Sequence, residues 1–112
     1  MVNLNHLYKT FNDNEEIVID MVKTIIIEIP KSIHQAEEAL KKEDWDGYYI
    51  NMHKLKPTLK YIGLKELAET VDTLEKCARD RNSLSEIFQK SPGIMLEIKK
   101  AMTELQEFVD SK

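Results

Sequence analysis

The sequence predicts an all-α protein, an antiparallel up-down four-helix bundle with a short extra helix at its start. Three observations predict it. Apolar residues recur at spacings of three and four along nearly the whole chain, and no segment alternates with a period of two. Turn formers are sparse, three Gly and three Pro in 112 residues, so the connections must be short. Short connections place consecutive helices side by side and antiparallel. Residues 1–112 are expected to form one domain around one core.

A first helix is expected after Asn3, a good N-cap, and to run to about Phe11 with Leu4, Leu7 and Tyr8 inward. Asn12-Asp13-Asn14 reads as a turn that also caps the next helix, and Glu15 and Glu16 suit the positive end of its dipole. The second helix should run from about Glu15 to Lys42 on a stripe of Val18, Val22, Ile25, Ile29, Ile33, Ala36 and Leu40. Pro30 lies inside it and should kink rather than end it, because the periodicity resumes in phase. Ile17, Ile19, Met21 and Ile26 widen the apolar arc to roughly 200°, and Ile27 points to the opposite side. Such an arc implies several packed neighbours, an exposed docking surface, or both.

Asp44 caps the third helix, whose inward stripe is Trp45, Tyr48, Met52, Leu55, Leu59 and Ile62. Gly63 is the residue that stops it. The fourth helix is expected from about Leu64 to Arg79, with Leu64, Leu67, Ala68, Val71, Leu74 and Ala78 inward. Ser83-Leu84-Ser85-Glu86 reads as a capping box opening one short turn of helix. Ser91-Pro92 then reads as the N-cap and first residue of a separate last helix built on Ile94, Ile98, Ala101, Met102, Leu105, Phe108 and Val109.

Composition narrows the function. The net charge of −4 argues against nucleic acid as a partner. The richest apolar stretch, Ile17 to Ile29, is broken by Asp20, Lys23, Thr24 and Glu28 and is too short to span a bilayer. Asn3, Asn5, His6 and Lys9 interrupt any apolar run at the start, so no signal peptide is expected. The single Cys77 cannot form an internal disulfide. A cytoplasmic monomer is the expectation. From His53 to Lys65, however, there are four lysines and no acid, a positive patch on an otherwise acidic body.

That patch contains the most informative residue. Counting 100° per residue, His53 lies about 130° from the centre of the third helix's stripe, at the rim of the bundle. Lys56 and Lys60 follow it at three and seven residues, and Tyr49 precedes it by one turn. A neutral imidazole nitrogen is a competent nucleophile near neutral pH, and ammonium groups beside it stabilise an arriving phosphoryl group. Glu75 lies about 60° from the fourth helix's stripe, too close to the core for a free acid. It faces one of two partners: the imidazole Nδ1–H, which would leave Nε2 free to attack, or a lysine such as Lys56.

The segment His53-Lys54-Leu55-Lys56, with Gly63-Leu64 beyond it and Leu74-Glu75 further on, resembles the histidine-containing phosphotransfer (HPt) domain of phosphorelays. The similarity extends to the Asp44-Trp45 helix start, the long proline-containing helix before it and the closing helix. The resemblance implies a phosphorelay intermediate. His53 would accept a phosphoryl group from a receiver-domain aspartate and pass it to another, with Lys56 and Glu75 as its catalytic companions. Tyr49, Pro57, Lys60, Ile19, Ile26 and Ile27 are the residues expected to bind the partner. Partners would be receiver domains of response regulators or hybrid histidine kinases. No cofactor of its own is implied, and Mg²⁺ is expected on the receiver. Pro57 departs from the family, which usually has glycine after the lysine. It also lacks the N–H that would bond the carbonyl of His53, so a bend is expected there.

Other readings are weaker. His34 with Glu38 lacks further metal ligands, and the Glu-x-x-His motif of di-iron bundles is absent. No Gly-rich phosphate loop exists, so a kinase with its own ATP site is excluded. The rival is a non-catalytic helical adaptor that binds a partner through an apolar helix face.

Overall fold

A computed structural model describes residues 1–112. The chain forms five helices in order: α1 (Asn5–Thr10), α2 (Glu15–Lys41), α3 (Trp45–Tyr61), α4 (Lys65–Asp80) and α5 (Leu84–Asp110). α3 packs on α2 and α4, and α5 closes the ring by packing on the same two helices, so α2 to α5 form a four-helix bundle. α1 lies against the outside. At 1.5 Å per residue, the two 27-residue helices run about 40 Å, which matches the longest dimension of 43 Å.

The core is one cluster of 24 buried apolar residues drawn from every helix. Within α2 the stripe falls as the spacing predicts, except at its end. Ala39 takes the buried place expected of Leu40, which is only half-buried. α2 ends at Lys41 and runs through Pro30 without a break. Asn14 caps it by accepting from the Ile17 N–H at 3.2 Å.

Capping fixes α3 at both ends. The Asp44 carboxylate accepts from the Gly47 N–H at 3.0 Å. At the other end Leu64 N–H bonds Leu59 O (2.9 Å) and Gly63 N–H bonds Lys60 O (3.1 Å), the paired bonds of a Schellman turn. That turn needs a left-handed residue, and Gly63 supplies it with φ +82°. The helix stays continuous through Pro57.

Two expectations are corrected. Asn3 is not the N-cap of α1; Leu4 holds that place, and Asn3 Oδ1 accepts from the Asn5 N–H at 2.9 Å one step earlier. The Asn3 N–H bonds Ile62 O at 2.7 Å, which ties the N-terminal segment to the end of α3. The second correction is larger. Ser83–Glu86 and Ser91–Pro92 do not open two helices, because α5 is unbroken from Leu84 to Asp110. Ser83 makes no side-chain cap bond. Ser91 is buried, and its Oγ accepts from the Tyr48 hydroxyl at 2.9 Å. A serine with a partner on another helix has no need to cap its own, and the buried Ile87 before it and Ile94 after it hold the helix in phase.

Candidate functional site

The site grows from the register of α3 and α4. Met52, Leu55 and Leu59 are fully buried and fix the rotation of α3. That rotation turns His53 outward, with 62% of its side chain exposed. On α4, Val71, Leu74 and Ala78 do the same work, and Glu75 follows Leu74 inward. Only 4% of the Glu75 side chain is exposed.

A buried carboxylate must be paired, and both Glu75 oxygens are. Oε1 meets His53 Nδ1, and Oε2 meets the Lys56 ammonium. The two alternatives that spacing left open are both realised at once. Holding Nδ1 leaves Nε2 as the unengaged ring nitrogen. The Tyr49 ring lies beside the imidazole, 6.1 Å between centroids.

Lys56 is not a free ammonium. Its side chain is 18% exposed and lies between two carboxylates, Glu75 and Asp72, the latter at 2.7 Å. The hydrogen bonds that Lys56 donates to Asp72 and then to Glu75 hold it charged above the ordinary lysine range. Hydrogen bonding to Lys56, then to Lys76, holds Asp72 well below the usual carboxylate range. Lys76 reaches the other Asp72 oxygen at 2.9 Å.

Beside His53 opens a basin of about 720 Å³. Its walls include Lys56, Pro57 and Lys60 from α3, Lys9 and His6 from α1, and Lys65 from the start of α4, with no acidic residue among them. Lys9 and His6 were missed by sequence reasoning, because only the docking of α1 beside the end of α3 brings them there, whereas Lys65 lies within the positive run that the sequence shows. The one available signal was the absence of acids from His53 to Lys65. Pro57 is exposed at the basin wall, one turn beyond His53. Ile19, Ile26 and Ile27 do not reach the basin. Ile19 and Ile26 are half-buried, and Ile27 stands 57% exposed on the body of α2. No helix is long and apolar enough to cross a membrane.

The backbone resembles that of solved proteins. The chain superposes on the HPT domain of an Hpt sensor hybrid histidine kinase from Shewanella with a TM-score of 0.84 and 14% identity, covering 99% of this chain and 95% of that one. It superposes on histidine-containing phosphotransfer protein B from Pseudomonas aeruginosa with a TM-score of 0.73 and 16% identity, covering 98% and 91%. At such identities these likenesses establish the fold. No curated protein matches the chain by sequence. The family model of the Hpt domain matches residues 20–108, from within α2 almost to the end of α5. The chain therefore belongs to the Hpt domain family.

Proposed function

We propose that the protein is a phosphorelay intermediate, with His53 as the residue that takes a phosphoryl group from a receiver aspartate and gives it to another. One observation carries the reading: an exposed imidazole whose Nδ1 is held by a buried carboxylate. Nε2 attacks the phosphorus of the aspartyl phosphate, the bond from phosphorus to the carboxylate oxygen breaks, and the carboxylate leaves with the electron pair. The ring keeps its Nδ1 proton, so the phosphorylated imidazole is cationic. The Glu75 carboxylate offsets that charge. In the return step a receiver carboxylate attacks phosphorus and the ring recovers its electron pair. Any Mg²⁺ the transfer needs would be held by the receiver, the partner that carries the aspartate.

Lys60, Lys9 and Lys65 supply the positive field that draws in a phosphorylated, acidic partner face. Tyr49 and Pro57 border the imidazole, and the exposed Ile27 offers apolar surface to the same transient contact. The test is to mix the protein with a radiolabelled phosphoreceiver and follow label on both chains. The expected result is loss from the receiver and gain on the wild type, with no gain on His53→Gln. Equal labelling of both would defeat the assignment.

A further inference from the structure

Asp72 belongs neither to the core nor to the chemistry described so far, yet both of its oxygens are engaged. Oδ1 accepts from Lys56 Nζ at 2.7 Å and Oδ2 from Lys76 Nζ at 2.9 Å. Asp72 stands three residues before Glu75, so the two carboxylates project from one side of α4. Lys56 comes from the facing helix and bridges them. Charge alternates along the row from Lys76 through Asp72 and Lys56 to Glu75, and His53 stands at its end.

Lys56 is the pivot of that row. It lies one helical turn from His53, close enough for a free ammonium to neutralise a phosphoryl group on the ring. In this protein the ammonium already has two fixed anions. Removing one would release it to the third, the phosphoryl dianion. Resting on the reading of His53 as the acceptor, we propose that Asp72 is a positioning residue that tethers Lys56 to Glu75 and so keeps phosphorylated His53 ready to surrender its group. The tether makes and breaks no covalent bond and moves no proton. It sets where one positive charge sits while the N–P bond forms and breaks.

The experiment phosphorylates His53 from a receiver, removes that receiver, and measures the rate of transfer to a fresh one. Wild type, Asp72→Asn, Lys56→Gln and the double variant are compared. Asp72→Asn should transfer roughly three- to tenfold more slowly. The slowing should vanish in the Lys56→Gln background, where no ammonium remains to be released. A merely structural role would persist there. Asp72→Asn that matches or outpaces wild type, or that is slowed equally in both backgrounds, overturns the tether while leaving His53 as acceptor. A wild type that takes no label on His53 overturns the acceptor reading and the tether with it.

Discussion

His53 and Glu75, 22 residues apart in the chain, meet across the helix pair that turns at Gly63. The contact joins the exposed rim of α3 to a carboxylate sunk in the face of α4. It makes the imidazole a fixed group rather than a mobile surface side chain, and it ties the site's chemistry to the packing of two helices.

Glu75→Ala should therefore damage both activity and fold. It removes the acceptor for His53 Nδ1 and leaves Lys56 with Asp72 alone. A loss of about 1–3 kcal/mol in unfolding free energy is expected from the abandoned partners. Phosphoryl acceptance should fall roughly tenfold or more, by analogy with lost orienting partners of other histidines. Glu75→Gln keeps an oxygen that can accept from Nδ1 and should retain more activity than the alanine variant. Denaturant unfolding and single-turnover transfer rates check both.

Tyr48 predicts how stability changes with alkaline pH. Burial raises its hydroxyl from 10.0 to about 12, an effect the Ser91 hydrogen bond only partly opposes. The folded state thus binds the proton more tightly than the unfolded state. The stabilisation is whole below pH 10 and is lost as pH rises toward about 12, by roughly 2–3 kcal/mol. Tyr48→Phe should lose about 1 kcal/mol at neutral pH with its hydrogen bond but lack this alkaline decline. The difference between wild type and variant across that window isolates Tyr48 from the other titrating groups.

Gly63→Ala should loosen the end of α3. Its φ of +82° disfavours any side chain, and a Cβ there would stand 2.6 Å from Asn3 Cβ and 2.9 Å from Asn3 O. Strain of about 1–2 kcal/mol is expected, with displacement of the N-terminal segment that Asn3 ties to Ile62. A lowered Tm should be accompanied by loss of the contact between the His6 and Tyr61 rings, now 5.0 Å apart, read by NMR.

Lys60 and Lys9 should govern encounter rather than chemistry. The double change to alanine should slow transfer roughly two- to tenfold at low salt and leave it near wild type at high salt, where exposed charges are screened. Stopped-flow transfer rates over a salt series check this. A slowing that persists at high salt would place these lysines in the chemical step instead.

The fold was legible because α1 to α4 carry their apolar stripes, and α2 and α3 carry their stops as well. Asp44, Gly63 and Asn14 all act where their residue types imply. Ser91–Pro92 misled for a physical reason. A serine before a proline signals a helix start only if the serine is unclaimed, and Ser91 is claimed by Tyr48, 43 residues away. The site was legible as far as helical register reaches: His53 outward and Glu75 inward. The division of Glu75 between His53 and Lys56, the hold of Asp72 on Lys56, and the arrival of Lys9 and His6 beside the imidazole depend on how neighbouring helices are set together. No spacing within one helix encodes them.

The central claim is tested most directly by locating the phosphoryl group after exposure to a phosphorylated receiver, by peptide mass spectrometry under alkaline conditions. One adduct is expected, on the imidazole of His53, stable to base and lost in acid. An adduct on another residue, or none on wild type while the receiver still phosphorylates a control acceptor, would contradict it.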